Sequence, residues 1–116
     1  MSNDTAPCVV LCTCPDATSA ERLAEGLVSQ RLAACVNQIG PIRSVYEWQG
    51  KICSDQEYQL IIKTRPATLV ALERWLKAEH PYDVPEIIAL ETTRVEHAYR
   101  QWIDQVLDLP PLENSQ

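Results

Sequence analysis

The chain has 116 residues, 46% of them hydrophobic, and its 16 acidic and 10 basic residues give a formal net charge of −6. This length suits one domain with its own core, which we place at residues 1–116 with loosely held termini at 1–7 and 109–116. Nucleic acids and anionic membranes are bound through clustered Lys and Arg, so the acidic balance argues against both as partners.

Two features of the sequence predict a cytoplasmic protein. No apolar run approaches the roughly 18 residues of a membrane span, and the N-terminal MSNDTAP lacks the basic and apolar regions of a signal peptide. The five cysteines are an odd number without a repeating spacing, at positions 8, 12, 14, 35 and 53. In a chain with no export signal, we expect them to be free thiols rather than a disulfide framework.

A strand followed by a helix is predicted near the start of the chain. Residues 8–13, CVVLCT, form a short apolar run, and the turn signal Cys14-Pro15-Asp16 follows at once. Thr18 stands three residues before Glu21, which is the spacing of a capping box, and apolar residues then recur with a helical period. We therefore expect a helix from about 18 to 31 that begins with this capping box.

A long β-hairpin is predicted for residues 34–64. The pattern is extended from 34 to 48, and the Gly40-Pro41 interruption fits a bulge because strand-like residues resume at Ile42. Gln49-Gly50 is a two-residue turn in which Gly50 supplies a positive φ. The returning strand runs through 57–64, so each arm can exceed ten residues, which is long for a domain of this size.

A second helix, a fourth strand and a last helix are predicted for the remainder. Pro66 suits the first turn of a helix that ends at Glu79. Residues 86–91 read as a strand, and apolar residues repeat with a helical period from 95 to 107. The order is β-α-β-β-α-β followed by an extra C-terminal helix, which indicates an α+β sandwich of the ferredoxin-like type.

Between the second helix and the fourth strand lies HPYDVPEII, at 80–88. Two prolines fix the backbone here and push the residues before them towards extended geometry. We expect this stiff segment to hold His80, Tyr82 and Glu86 in a fixed mutual arrangement, as a binding site requires. The alternative is that the prolines only stop a helix and start a strand.

The hairpin carries more apolar surface than a monomer usually leaves exposed. Tyr46, Trp48 and Tyr58 project from it, and two helices cannot cover both faces of one sheet. The sequence therefore predicts an oligomer in which these aromatic side chains pack between subunits.

Cys12 and Cys14 are two residues apart on a strand, so their side chains point to the same face. Three interpretations stay open: a paired soft-metal site, a core cysteine beside a loop-edge thiol, or a reactive Cys14 whose pKa is lowered by the following helix. Only the last would suit a thiol enzyme, and no catalytic partner for Cys14 is evident in the sequence.

His80 is the stronger of the two histidine candidates, because its neighbour Glu79 is able to orient the imidazole. His97 falls in the polar part of the last helix, where we expect it to be solvated. Three glutamates are either carboxylate ligands in an intersubunit cleft or hydrogen-bond acceptors at strand ends, namely Glu57, Glu86 and Glu91.

Five segments in the same order make the chain resemble the CutA family of divalent-cation tolerance proteins: VVLCTCPD at 9–16, RLAACVNQI at 31–39, SVYEWQGKI at 44–52, EYQLIIKT at 57–64 and HPYDVPEII at 80–88. The resemblance implies a ferredoxin-like fold, a homotrimer built through the long hairpins, and a shape similar to the PII signalling proteins. It also implies a cytoplasmic role linked to copper and other divalent ions.

Family members that bind copper do so through a cysteine of the first strand and histidines just before the Pro-Tyr pair. Carried over by position, these ligands fall on Cys12 and His80, with Glu79 where some members have a second histidine. The working hypothesis is a non-enzymatic homotrimer that binds copper or another divalent metal ion. The alternative is a PII-like signalling module whose intersubunit clefts bind a small molecule or a partner protein.

Overall fold

The computed structural model describes residues 6–112 of the chain. Within this range the elements are β1 (Cys8–Cys14), α1 (Ala17–Ser29), β2 (Cys35–Trp48), β3 (Lys51–Thr64), α2 (Leu69–Glu79), β4 (Ile88–Glu91) and α3 (His97–Leu107). A single 3₁₀ turn, Pro66–Thr68, leads into α2 as the position of Pro66 predicts. No helix in this range has both the length and the apolar character needed to cross a membrane.

The four strands form one antiparallel sheet in the order β2-β3-β1-β4. With α1 and α2 as the crossover helices, this is the predicted ferredoxin-like arrangement with an additional C-terminal helix. β1 pairs with β3 along its whole length, from Cys8 to Cys14, but with β4 only from Cys8 to Leu11. The C-terminal end of β1 therefore has no strand partner on its β4 side.

The main core lies between the sheet and the two helices α1 and α2. Alternate residues of β1 and β3 point towards the helices, since side chains two apart on a strand share a face. The fully buried members include Val10, Cys12, Cys14, Leu60 and Ile62 from the sheet, with Leu23 and Leu27 of α1 and Leu72 and Leu76 of α2.

The helix α1 begins at Ala17, one residue earlier than predicted, and Asp16 caps it instead of Thr18. Asp16 occupies the cap position with an extended backbone, and its Oδ1 accepts a hydrogen bond from the Ser19 N–H at 2.7 Å. The prediction that Thr18 opens a capping box was wrong, because Thr18 already lies inside the helix. An aspartate immediately before the helix satisfies the free N–H groups at least as well as threonine.

The hairpin has the predicted turn, bulge and length. Each arm has 14 residues, the register shifts between Ile39 and Ile42, and both turn residues, Gln49 and Gly50, have positive φ angles of 51° and 78°. Two positive φ values are characteristic of the type I′ turn that matches the twist of paired strands. Since β1 pairs with β3 only at residues 58–64, residues 42–57 form a two-stranded arm without a third strand.

Much apolar surface lies exposed on this arm and on the sheet face turned away from α1 and α2. Trp48 is 63% exposed and Ile52 84%, while Ile88 and Leu90 of β4 are each nearly half exposed. Tyr46 shares this exposure, but the prediction for Tyr58 was wrong. Tyr58 is half-buried against the main core, because it lies on the same face of β3 as Leu60.

The helix α3 packs through a second, smaller cluster in which Ile103 and Leu107 meet Ala34. Arg65 ties it to the end of β3 through ion pairs with Asp104 at 3.1 Å and Asp108 at 2.6 Å. The predicted loosely held residues 1–5 and 113–116 lie outside the described range. Within it, Leu112 N–H donates to the Ser29 carbonyl at 2.9 Å.

Candidate metal centre

Two thiols and one imidazole converge at the C-terminal end of β1. The candidate ligand atoms of Cys12, Cys14 and His80 all lie within 4.8 Å of one another, and all three residues are buried. The strand brings the two cysteines together because they are two residues apart on one face. The third donor comes from the end of α2, far along the chain, and we call this group the Cys12–Cys14–His80 cluster.

The imidazole of His80 is held by hydrogen bonds on both ring nitrogens. Nε2 lies 2.8 Å from the Thr13 carbonyl oxygen, and Nδ1 accepts a hydrogen bond from the Tyr82 N–H at 3.0 Å. These partners assign the proton of the neutral ring to Nε2, which donates to Thr13. His80 thus occupies the edge of β1 that β4 does not reach.

The stiff segment 80–88 has the ordering effect predicted for it. His80 ends α2 with an extended backbone, φ −74° and ψ 141°, as expected for a residue before proline. Beyond Pro81, the ring of Tyr82 packs against the His80 ring with centroids 4.9 Å apart. The segment therefore fixes His80 and Tyr82 relative to each other as well as ending the helix.

A hydrogen bond between the two thiols makes them unequal. It lowers the pKa of Cys14, because the Cys12 S–H stabilises the Cys14 thiolate, and it raises the pKa of Cys12 for the same reason. Burial and the nearby carboxylates of Glu57 and Glu86 raise the pKa of Cys12 further. The lowered pKa of Cys14 agrees in direction with one of the three interpretations left open by the sequence, and its largest cause is the hydrogen bond from Cys12.

Glu79 does not join the Cys12–Cys14–His80 cluster. Its carboxylate pairs with Arg22 of α1 at 3.3 Å on the protein surface, and Arg22 also donates to the Glu79 carbonyl at 2.8 Å. The idea that Glu79 orients the imidazole was wrong, since the Thr13 carbonyl and the Tyr82 N–H do so. His97, at the start of α3, is exposed as predicted.

An open groove of about 890 Å³ lies beside the cluster, between the hairpin arm and the segment after α2. Three aromatic residues line it, Tyr46, Trp48 and Tyr82, together with four acidic ones, Asp55, Glu57, Asp83 and Glu86. The described lining includes no Lys, Arg or His. We call it the acidic groove.

Among the four acidic residues that line the groove, Glu57 is the one that bonds the Tyr82 side chain. It is buried, and its Oε2 accepts a hydrogen bond from the Tyr82 hydroxyl at 2.8 Å. This bond and burial raise the pKa of Tyr82, with burial the larger cause. Glu86 also lines the groove, whereas Glu91 lies at the end of β4, beside Cys8 in the sheet register.

Sequence reasoning gave Cys14 less weight than the structure does, and it assigned Tyr82 no contact of its own. For Cys14, the available signal was its position two residues after Cys12, which places both side chains on one face of the strand. For Tyr82 the signal was an aromatic residue held between two prolines. No local pattern indicates that its hydroxyl reaches Glu57 on the hairpin.

The structure is a ferredoxin-like α+β sandwich. Its buried cluster of two thiols and one imidazole consists of donor types that soft and borderline metal ions prefer. The family model described as "CutA1 divalent ion tolerance protein" matches residues 8–106. The chain belongs to this family of divalent-ion tolerance proteins, as its sequence motifs predict.

Individual relatives agree with this assignment. The chain is 43% identical over 95 residues to the divalent-cation tolerance protein CutA of Thermus thermophilus, covering 82% of this chain and 92% of that protein. It is 46% identical over 103 residues to "Protein CutA, chloroplastic" of Arabidopsis thaliana, covering 88% of this chain. The chain spans little more than half of the longer relatives, 57% of the Arabidopsis protein and 54% of the Homo sapiens one.

Solved structures show the same fold. The crystal structure of CutA from Xylella fastidiosa superposes with a TM-score of 0.86 at 43% identity, covering 88% of this chain and 98% of that one. CutA1 from Oryza sativa gives a TM-score of 0.86 at 44% identity, covering 90% and 96%. Identity at this level supports the family as well as the fold.

Proposed function

We propose that this chain forms a homotrimer in the cytoplasm and binds copper, as Cu(I), as its part in divalent-cation tolerance, without acting as an enzyme. The observation that carries the proposal is the buried convergence of two thiols and one imidazole within 4.8 Å. Sulfur and imidazole donors suit copper, whereas Mg²⁺ and Ca²⁺ seek oxygen ligands. Zn²⁺ shares the preference for these donors, so divalent metal ions compete with Cu(I) for the site.

The donor geometry is compatible with one ion. Metal–sulfur bonds of about 2.3 Å allow two sulfurs on the same ion to be up to about 4.6 Å apart, so small side-chain movements suffice. Cys12 and Cys14 bind a metal as thiolates, so a cation would displace their thiol protons. His80 is the third donor, and it has to exchange one of its two backbone hydrogen bonds for the metal.

The exposed apolar surface supports the trimer. Within residues 6–112, no third strand pairs with the arm at 42–57, and Trp48 and Ile52 lie on it largely exposed. Ile88 and Leu90 of β4 are also exposed. Exposed apolar surface on soluble proteins marks interaction sites, and closed symmetric assembly of identical chains is the common way to cover it.

The cysteines support two parts of the proposal, the cytoplasmic location and a role other than that of an enzyme. All five cysteines are free thiols, which reducing compartments favour. Cys14, the candidate nucleophile of a thiol enzyme, is fully buried in the core. A substrate carbonyl or disulfide would have no contact with its sulfur.

A second candidate function is a PII-like module that binds a small molecule. The observation in its favour is the acidic groove, whose volume of about 890 Å³ is that of a ligand pocket. In this case any bound metal is incidental. The ligand would sit against Tyr46, Trp48 and Tyr82 and would leave the thiols untouched.

Competition titration with a chromophoric Cu(I) chelator tests the proposal. Cys12→Ser, Cys14→Ser and His80→Ala should each weaken copper binding about tenfold or more, which corresponds to about 1.4 kcal/mol per lost donor. The matched controls are Cys53→Ser, a thiol on the hairpin arm, and Glu79→Gln, and neither should change the affinity. Copper binding that survives both cluster cysteine substitutions would favour the groove as the functional site.

A further inference from the structure

In the described part of the chain, the three residues of the cluster are closed off from solvent. Cys12 and Cys14 have no exposed surface, and His80 is only 8% exposed. An ion or reagent of any kind can therefore reach the sulfurs only if some neighbouring group moves. Such a movement can be tested without any metal, and only the test by copper transfer rests on the proposed metal-binding function.

Tyr82 stands between the acidic groove and the cluster. Its ring lines the groove and at the same time packs on the His80 ring at 4.9 Å. Thr13 also lines the groove and contacts His80. It does so through its backbone carbonyl, which is fixed in β1 and cannot rotate as a side chain can. The Tyr82 side chain is thus the movable part of the wall.

One hydrogen bond holds this side chain in place. The Tyr82 hydroxyl donates to Glu57 Oε2 at 2.8 Å, and Glu57 is itself buried on β3. The backbone on either side of Tyr82 is stiffened by Pro81 and Pro85, so opening means a rotation of the side chain rather than a loop movement. Its N–H bond to His80 Nδ1 then stays in place.

The charge of the groove favours cations at this point. Asp55, Glu57, Asp83 and Glu86 line it, with no basic residue among the described lining. A cleft lined by one sign of charge raises the local concentration of ions of the other sign. The groove therefore leads a cation to the wall that Tyr82 forms.

We infer that Tyr82 is a gate between the acidic groove and the Cys12–Cys14–His80 cluster, held shut by its hydrogen bond to Glu57. The competing route would enter from the helix side, where the Arg22–Glu79 ion pair lies about half exposed. That ion pair involves Glu79, the residue before His80, whereas the Tyr82–Glu57 hydrogen bond lies at the acidic groove. Breaking each one in turn distinguishes the routes.

The first experiment needs no metal. The folded, metal-free protein is alkylated with iodoacetamide at fixed pH, and the rate at each cysteine is followed by mass spectrometry. Tyr82→Phe keeps the aromatic ring and removes the hydroxyl that bonds Glu57. Cys12 and Cys14 should therefore be alkylated about tenfold faster, which corresponds to the loss of a bond worth about 1.4 kcal/mol. Glu57→Gln is the control for charge, because it keeps an acceptor for the Tyr82 hydroxyl while it removes the carboxylate that raises the pKa of Cys12 and Cys14, and it should accelerate labelling less than Tyr82→Phe does.

Two controls make the result decisive. Cys8 is buried at the opposite end of β1, so its labelling rate should not change in either variant. Arg22→Ala should not accelerate labelling of Cys12 or Cys14, and it should slow Cys14 if anything, because the Arg22 charge lowers the pKa of Cys14. The gate is refuted by equal acceleration at Cys8, which means global unfolding, by acceleration in Arg22→Ala instead, or by no acceleration in Tyr82→Phe.

The second experiment measures Cu(I) transfer from a chelator by stopped flow. Tyr82→Phe should accelerate uptake and release to the same extent and leave the equilibrium affinity unchanged, because the three donors are retained. An affinity change without a rate change would make Tyr82 part of the binding site and not its gate. If no copper binds but labelling responds as expected, the proposed function fails and the gate stands.

Discussion

The ring of Trp75 on α2 lies directly over Gly26 of α1. A β-carbon built on Gly26 would be 2.5 Å from two atoms of that ring, which is closer than non-bonded carbon atoms approach. The absence of a side chain at this one position therefore allows the two helices to pack closely on the sheet.

Gly26→Ala should destabilise the protein by about 1–2 kcal/mol. The overlap with Trp75 forces the ring to shift, and such overpacking costs about 1–3 kcal/mol, which outweighs the gain of up to about 1 kcal/mol in helix propensity. Denaturant unfolding measures the difference. In a Trp75→Leu background the same substitution should become neutral or stabilising, and a stabilised single variant would show that the helices are not in close contact here.

Trp48→Asp should abolish the proposed assembly without unfolding the protomer. Trp48 is 63% exposed in the single chain, so the charge costs little there but would be buried without a partner between subunits. Light scattering after size exclusion should give three times 13.1 kDa for the parent and less for the variant. Val70→Asp, equally exposed on α2, is the control that should keep the parent mass.

Gly50→Ala should destabilise the hairpin by about 1 kcal/mol. No atom lies within 4 Å of a β-carbon at Gly50, so the added methyl group meets only the backbone cost of a φ of +78°. Gln49→Asn should have the opposite, smaller effect, because asparagine adopts the left-handed conformation more readily than glutamine. Thermal unfolding of the two variants compares them, and equal midpoints would argue against the type I′ turn.

Asp16→Ala should lower the melting temperature at neutral pH and lose this effect in acid. The Ser19 N–H lowers the pKa of Asp16 below its ordinary value near 3.8, so the charged carboxylate stabilises the folded state. That stabilisation is complete above the unfolded pKa and disappears as the pH falls through the lower folded pKa. The two melting curves should converge below about pH 4, whereas Asp16→Asn, which caps without titrating, should show a smaller deficit at pH 7.

The fold could be predicted because its signals are local. Gln49-Gly50 marks the hairpin turn, Gly40-Pro41 marks the bulge, and the helical periods mark α1, α2 and α3. Tyr58 was assigned to the wrong surface although the signal was present, since it alternates in phase with Leu60 and Ile62. The cap of α1 was missed because Asp16 and Thr18 are both good caps and only the backbone decides between them.

The candidate site could be predicted only in part, because its geometry depends on contacts between distant segments. Cys12 and Cys14 share a face by spacing alone. The position of His80 beside them depends on where β4 stops pairing with β1. No local pattern around Glu79 indicates that its carboxylate pairs with Arg22 on the neighbouring helix α1. Its position in the family pattern alone therefore placed it among the ligands.

The central position of β1 has a consequence for how the protein is made. Cys8 pairs with Thr64 on one side and with Glu91 on the other, so β1 leaves the ribosome before both of its partner strands. The hairpin β2-β3 can form as soon as its own two arms are synthesised, but β1 needs β3 on one edge and the more distant β4 on the other, and such long-range pairing is slow. Until β3 pairs with it, the apolar segment CVVLCTC has both edges open, which is the condition under which nascent strands aggregate.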